Sequence, residues 1–240
     1  MNRLKRVSGR IIESPKVISA KIKGIDWPHS YTCLTAKDLL GKEAKTVIDI
    51  GANKGMFIKA ANFVFPNAKI YAFEPQTEFL NIIKNLPNVT AYDFGLWDSE
   101  GTDTFYKNKD NDGSSSFLKP TEEYEKYTGK KEVMEEITLK KKRFDELDIE
   151  IQRPCFVKID VEGAEDRVIK GFGEKLHEVD ILQIEWFFKK YHENQMKITE
   201  VMSILEDYGF IGFIQKEIDY IDGYPHVCDL IFFKEKNKVI

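Results

Sequence analysis

Two kinds of apolar segment alternate along most of the chain. Short runs rich in β-branched and aromatic residues, such as Thr46–Ile50 (TVIDI) and Lys69–Phe73 (KIYAF), predict buried strands. Between them apolar residues recur at helical spacing, as Phe79, Ile82 and Ile83 do. Further strands are predicted at 89–94, 156–161 and 181–187, and further helices at 34–40, 56–65, 164–169 and around 198–205. Strands that alternate with helices indicate βαβ units and a parallel sheet.

The pattern changes in two places. Residues 102–142 break the alternation, and we interpret them as an insertion of antiparallel strands and a loop. Near the end, the apolar segments 210–215 and 227–233 flank an Asp222-Gly223 turn, which predicts a hairpin. The expected fold is therefore α/β, with a mostly parallel sheet that gains an antiparallel strand at one edge.

Composition narrows the protein class without choosing a function. Of 240 residues, 42% are hydrophobic and 32% charged, which is ordinary for a globular protein. No apolar run approaches the ~20 residues of a membrane span, and residues 1–16 lack the apolar core of a signal peptide, so we expect a cytoplasmic protein. The net charge of −4 argues against a nucleic-acid partner. The three cysteines have neither zinc-ligand nor disulfide-framework spacing.

A glycine-bearing loop follows the first predicted strand. It contains Asp49, Gly51, Asn53 and Gly55 and precedes a helix whose first N–H groups are free. The dinucleotide pattern G-x-G-x-x-G and the Gly-Lys-Ser/Thr phosphate loop are both absent, so the ligand need not be a pyrophosphate. A ligand with an ammonium and a carboxylate, such as the methionine part of S-adenosylmethionine, suits this loop. The alternative is a plain strand–helix turn.

An acidic residue, Glu74, ends the second predicted strand, roughly 20 residues after the glycine loop. A carboxylate in this position can accept hydrogen bonds from both hydroxyls of a ribose. The alternative is an acid that stabilises the start of the next helix. Together the loop and Glu74 predict a cofactor that contains a nucleoside.

Polar residues also interrupt two buried strands. Lys158, Asp160 and Glu162 share one face at strand spacing, and the next strand carries Gln183 and Glu185. Burial of such groups is costly unless they are paired or functional, so we expect them to meet at the ligand cleft.

Two alternatives accompany that last expectation. The polar groups would also suit a structural ion-pair network, and the oxygens of Asp160 and Glu162, with Glu165, would suit Mg²⁺. We expect no resident metal. The scattered histidines favour packing or surface roles, although His192 follows the fifth strand closely enough to act as a base. Residues 112–116 would serve either as a polar lid or as an ordinary surface loop.

Three motifs carry a family resemblance. They are Asp49-x-Gly51-x-Asn53-x-Gly55, Phe73-Glu74-Pro75 and residues 157–165 (VKIDVEGAE). They resemble those of the FkbM family of S-adenosylmethionine-dependent methyltransferases. The resemblance runs from about residue 45 to 233. It implies a class I methyltransferase domain at 45–240, after an N-terminal extension at 1–44.

The family implies a Rossmann-like three-layer sandwich whose sheet has seven strands, the C-terminal one antiparallel. It implies S-adenosylmethionine as cofactor and methyl transfer to a hydroxyl oxygen of a sugar, a glycan or a hydroxylated natural product. By motif position, the cofactor contacts would be Asp49, Gly51, Asn53 and Gly55 for the methionyl part, Glu74 for the ribose, Asp93 and Phe94 for the adenine, and Asp160 beside both cofactor and acceptor.

Methyl transfer to an alcohol needs help with the hydroxyl proton. We therefore expect Asp160 or Glu162 to act as the base and Glu185 to orient the acceptor. Two rival functions are a nicotinamide-dependent oxidoreductase and a binding module without catalytic activity. The missing dinucleotide motif disfavours the first, and the intact loop and acidic residues disfavour the second.

Overall fold

The computed structural model describes residues 24–221 and 223–235. Three sequence predictions fall wholly or partly outside these residues. They are the absence of a signal peptide, most of the N-terminal extension, and the first residue of the Asp222-Gly223 turn.

Helices and strands alternate along the described chain. The helices are α1 (Trp27–Leu40), α2 (Met56–Val64), α3 (Thr77–Ile83), α4 (Glu122–Thr128), α5 (Glu165–Gly171) and α6 (Ile198–Asp207), and a 3₁₀ helix covers Gly173–Glu178. The strands are β1 (Thr46–Ile50), β2 (Lys69–Phe73), β3 (Val89–Tyr92), β4 (Gly95–Leu96), β5 (Gly101–Asn108), β6 (Met134–Lys142), β7 (Cys155–Ile159), β8 (Ile181–Phe187), β9 (Phe210–Ile221) and β10 (Tyr224–Lys234).

Seven strands form the main sheet in the order β3-β2-β1-β7-β8-β10-β9. The pairs from β3 to β8 are parallel, whereas β10 runs antiparallel to both β8 and β9. The predicted seven-stranded sheet with an antiparallel C-terminal strand is confirmed. From β1 the chain continues to β2 and β3 on one side, and β7 and β8 lie on the other side. At such a switch point a crevice opens beyond the carboxyl ends of β1 and β7, where ligands bind in sheets of this kind.

Apolar layers cover both faces of this sheet. On one face α1 and α2 pack over a core that includes Val47, Ile70 and Phe156. On the other face α5 and α6 pack over Ile48 and Val157, the strand neighbours of that first set. Because strand side chains alternate between faces, a strand covered on both sides is expected to be apolar at nearly every position. This requirement explains the continuous apolar runs and confirms the three-layer sandwich.

A second, smaller sheet combines two strands of the segment interpreted as an insertion, β5 and β6, with β4 just before it. Its strand order is β4-β6-β5, with β5 and β6 antiparallel over their whole length. Helix α4 follows β5 and buries Tyr124. The loop between β5 and α4 is thereby held at the crevice of the main sheet.

One strand assignment was wrong in a way that matters for the site. The sequence pattern extends the fourth main strand to residue 161, but β7 ends at Ile159 and Glu162 has a left-handed backbone with φ 57°. Glu162 therefore does not share a strand face with Lys158. The turn formed by residues 160–164, and not strand pleating, decides where its carboxylate lies.

Among the residues that the structure describes, no helix combines the length and apolar character required to cross a bilayer.

A close backbone contact joins α5 to the segment after β4. A Cβ added at Gly171 would lie 2.0 Å from the carbonyl oxygen of Trp97, so Gly171→Ala forces two backbones apart. We expect this variant to lose about 3 kcal/mol of unfolding free energy in urea denaturation. Gly113→Ala is the matched control, because its nearest neighbour would be a side-chain oxygen at 3.5 Å. Equal stability of the two variants would contradict this packing.

Candidate active site

The main cavity lies at the carboxyl ends of β1, β2 and β7. These strands end level with each other, since Ile50 is in register with both Phe73 and Ile159. The next residues, Gly51, Glu74 and Asp160, consequently lie side by side, and all three line a cavity of about 260 Å³. Strand order and register thus bring together residues that are more than 100 positions apart.

A buried lysine forms the floor of the cavity between β1 and β7. The Lys158 ammonium lies 3.5 Å from Asp49 Oδ1 and 3.1 Å from Asp160 Oδ2. Burial lowers the pKa of Lys158, but the neighbouring carboxylates Asp160 and Asp49 outweigh it and raise the pKa above its usual value. Burial raises the pKa of Asp49 to about 6 against the opposing effect of Lys158. The lysine is therefore a permanent cation that holds two acids in place.

Glu74 connects the glycine loop to the second strand. Its carboxylate accepts hydrogen bonds from the backbone N–H of Asn53 (2.8 Å) and of Gln76 (2.9 Å). Burial raises the pKa of Glu74 to about 7, although these two N–H donors oppose the shift. Gln76 also lines the cavity, and its buried Oε1 has no hydrogen-bond partner among the described residues. An amide oxygen without a partner beside a carboxylate suits a ligand rich in hydroxyl or amino groups.

The glycine loop fits closely against the end of β7. A Cβ at Gly51 would lie 1.8 Å from the carbonyl oxygen of Asp160, and Gly51 has φ +78°. Only glycine satisfies both conditions, so the residue sets the depth of the cavity wall. Gly55 precedes α2, where no side chain caps the free N–H groups of the first turn. These features form a concave site whose backbone N–H groups and carboxylates suit an adenosyl ligand with an amino-acid tail.

Comparison with known proteins agrees with this geometry. The sequence model of the methyltransferase FkbM domain matches residues 49–211. The chain belongs to the FkbM methyltransferase family. Methyltransferase sdnD of Sordaria araneosa is 29% identical over 197 residues, which cover 68% of this chain and 73% of sdnD. The family assigns S-adenosylmethionine as the cofactor, and the cavity at Gly51, Asn53 and Glu74 fits it.

Similar solved structures include other methyltransferases. An S-adenosylmethionine-dependent O-methyltransferase of Thermotoga maritima is 14% identical, with 95% of this chain and 74% of that chain covered and a TM-score of 0.46. The N-terminal domain of EvdMO1, solved in the presence of S-adenosylhomocysteine and D-fucose, is 9% identical, with 88% and 84% covered and a TM-score of 0.48.

Three carboxylates of this FkbM methyltransferase meet beside the lysine. One oxygen each from Asp160, Glu162 and Glu185 lies within 4.8 Å of the others. Burial and then the charge of Asp160 raise the pKa values of Glu162 and Glu185 well above their usual range. These two glutamates therefore ionise less readily than exposed carboxylates. Asp160 is the member of this carboxylate cluster that lines the main cavity.

Glu165 has a different role from the one considered for it as a metal ligand. Its carboxylate accepts hydrogen bonds from the backbone N–H groups of Val161 (3.4 Å) and Gly163 (3.1 Å), which hold the turn after β7. Burial raises its pKa to about 8. The cluster that geometry makes available to a cation consists of Asp160, Glu162 and Glu185 instead.

The polar loop before α4 covers the cavity. The Asn53 side-chain amide donates to the carbonyl of Asp112 (3.1 Å), and Lys54 forms an ion pair with the Asp112 carboxylate (2.5 Å). Ser116 Oγ donates to the carbonyls of Val161 (3.1 Å) or Glu162 (2.9 Å). The loop thus binds both the glycine loop and the turn after β7, which is the placement expected of the lid suggested by the sequence.

Several predicted site residues lie outside the cavity lining. Asp49 is completely buried beside Lys158, and Gly55 turns the chain into α2. Phe94 packs on Phe73 in the core, and neither it nor Asp93 lines the cavity. Glu162 and Glu185 do not line the cavity, but they lie beside Asp160, which does. In place of Asp93 and Phe94, the wall beyond Glu74 is formed by Gln76, Gly95, Leu96, Trp97 and Phe117.

The structure distinguishes two of the histidines. His192 has the packing role favoured by the sequence, buried against Tyr124, Phe187 and Gly163, and it does not line the cavity as its alternative role of base would require. His29, which has no distinctive spacing in the sequence, does line it. The signal that would have found His29 is a capped helix start, Asp26 followed by Pro28, ahead of the first strand.

Replacing Lys158 by Met leaves Asp49 and Asp160 without their buried cation. We expect the unfolding free energy at pH 8 to fall by about 3–5 kcal/mol. Folding raises the pKa of Asp49, to about 6 with Lys158 present. Such an acid lowers the stability of the fold as pH rises through its folded pKa, because the native state must then hold a buried charge. The loss should therefore be smaller at pH 5 than at pH 8, as measured by urea denaturation. The exposed Lys59→Met serves as control, and an equal loss at both pH values would refute the pairing.

Proposed function

We propose that this methyltransferase transfers the methyl group of S-adenosylmethionine to a hydroxyl oxygen of a sugar, a glycan or a hydroxylated natural product. The observation that carries the proposal is the carboxylate cluster of Asp160, Glu162 and Glu185 at the cavity. Transfer to an oxygen requires a base for the hydroxyl proton, and a cavity-lining carboxylate supplies one. Family membership excludes the rival nicotinamide oxidoreductase.

The chain's own residues position the donor and the acceptor. Glu74 and Gln76 bind the ribose side, while the glycine loop from Gly51 to Asn53 lies along the donor's tail. When bound, S-adenosylmethionine supplies an electrophilic methyl group on a sulfonium. Alignment of an acceptor oxygen with that methyl group can lower the barrier by roughly 7–11 kcal/mol. The lid residues Asp112–Ser116 keep water from the reacting atoms.

Proton removal is assigned to Asp160. Its side chain is 31% exposed, so it reaches an acceptor in the cavity while Lys158 holds its Oδ2 at 3.1 Å. Glu162 and Glu185, whose pKa values are raised, each place a carboxylate oxygen within 4.8 Å of one on Asp160. Glu185 also lines a small separate cavity with Asp219 and Asp229. The cytoplasmic location and the lack of a nucleic-acid partner stay predictions from the sequence.

The first experiment tests cofactor and acceptor class together. S-adenosylhomocysteine should raise the melting temperature of the protein, whereas NAD should not. Methyl transfer from labelled S-adenosylmethionine is then measured against sugars and hydroxylated small molecules, with amines and thiols of similar shape as comparison. Transfer to an amine or thiol but to no alcohol would overturn O-methylation. Cofactor binding without transfer to any acceptor would favour the binding-module alternative.

Asp160→Asn tests the assignment of the base. The amide keeps the shape of the side chain but cannot take a proton, so kcat should fall by about 10²–10⁴-fold. S-adenosylhomocysteine affinity, measured by calorimetry, should change much less than kcat. Glu100→Gln is the control, because this acid is exposed and lies outside the cavity. Turnover close to wild type in Asp160→Asn would show that another group removes the proton.

Donor affinity should also depend on pH through Glu74. Its pKa of about 7 means that it is partly protonated below neutrality, and a protonated acid accepts hydroxyl hydrogen bonds poorly. Affinity for S-adenosylhomocysteine should therefore rise up to about tenfold from pH 6 to pH 8 as the carboxylate ionises. Glu74→Gln should bind more weakly and lose most of this dependence. A wild-type affinity that is flat across this range would rule out Glu74 as the titrating ligand.

A further inference from the structure

Helix α1 contributes one residue to the cavity from outside the family-matched segment. That segment begins at residue 49, whereas α1 covers Trp27–Leu40. The residue is His29, a half-buried side chain that lines the main cavity together with Phe57 and Lys158. The family match therefore gives His29 no function.

The start of α1 fixes the position of His29. Asp26 caps the helix and accepts the backbone N–H of His29 at 3.2 Å, and Pro28 is compatible with the first turn. Cys33 and Ala36 on the same helix are completely buried in the core shared with α2. The imidazole then lies edge-on to the Phe57 ring, with the two ring centres 5.9 Å apart. A side chain held this way loses little further freedom when it binds a ligand.

This position is at the opposite end of the cavity from Glu74. Glu74 follows β2, and the sheet continues through β1 to β7, which carries Lys158. Lys158 approaches the Phe57 ring to 5.6 Å, so His29 and Lys158 lie against the same ring. A donor whose ribose lies at Glu74 and whose tail follows the glycine loop places its amino-acid end here.

Hydrogen-bond donors are available at this end of the cavity. Met56 and Phe57, the first residues of α2, line it, and no side chain of the described residues caps that helix start, which carries the positive end of the helix dipole. The Lys158 ammonium is shared by Asp49 and Asp160, so a ligand carboxylate at this end needs donors other than Lys158. Burial, then the charge of Lys158, lowers the pKa of His29 to about 4, while Asp26 and Asp160 oppose the shift. A neutral imidazole still provides one N–H donor.

We propose that His29 is a donor-binding residue that hydrogen-bonds the carboxylate of the methionyl end of S-adenosylmethionine. The proposal rests on the proposed function, in which Glu74 holds the ribose. It makes α1 part of the cofactor site instead of an appendage to the methyltransferase domain. The carboxylate would lie between the imidazole of His29 and the start of α2.

Two ligands that differ only in the amino-acid end test this assignment. S-adenosylhomocysteine carries the carboxylate, and 5′-methylthioadenosine has the same nucleoside and thioether without it. By calorimetry, His29→Ala should weaken S-adenosylhomocysteine about tenfold, the effect of losing one hydrogen bond to a charged group. It should change 5′-methylthioadenosine affinity less than twofold. His29→Gln, which keeps an N–H donor, should recover part of the loss.

The control variant is His177→Ala, because His177 is exposed on the 3₁₀ helix and lies outside the cavity. It should bind both ligands as the wild type does. Wild-type affinity of His29→Ala for S-adenosylhomocysteine would overturn the proposal. Equal weakening of both ligands would also overturn it, since that pattern indicates a general structural role. If the wild type binds neither ligand, the proposed function itself fails.

Discussion

The ion pairing of Lys158 with Asp49 and Asp160 is the constraint around which the site is built. It joins the two central strands, β1 and β7, at the depth where the apolar core gives way to the cavity. Burial of three charges is costly, and it is tolerated because each acid has a cation within 3.5 Å. Removal of Lys158 leaves two acids without their shared cation, whereas removal of one acid leaves the lysine paired with the other.

Electrostatic effects spread from this network to the rest of the cavity. Asp160 contributes to the raised pKa values of Glu162 and Glu185, while Lys158 contributes to the lowered pKa of His29. Acids with raised pKa values carry less charge near neutral pH than free carboxylates, so they can lie close together with less repulsion. A cavity-lining aspartate beside two such glutamates is a suitable arrangement for accepting a proton from an alcohol.

Two segments outside the parallel core complete the site. The loop of residues Asp112–Ser116 covers it from the insertion, and α1 closes the end beside Lys158. The loop is fixed by polar contacts to short turns at strand ends, such as the Asn53–Asp112 and Ser116–Glu162 hydrogen bonds, whereas α1 is fixed by apolar packing of Cys33 and Ala36 against α2. The catalytic domain of this methyltransferase therefore depends on segments that its parallel βαβ units do not predict.

The sequence by itself determined the strands and helices of the parallel core, since strands covered on both faces are apolar at nearly every position. It also identified Gly51, Asn53, Glu74 and Asp160, because residues after strand ends in such sheets face the ligand. Only the tertiary structure decided the remaining site members. A left-handed turn places Glu162 in the carboxylate cluster. Trp97 and Phe117 line the cavity where Asp93 and Phe94 were expected. His29 lines the cavity from a helix that precedes the motifs. These placements depend on packing between distant segments, which spacing along the chain does not encode.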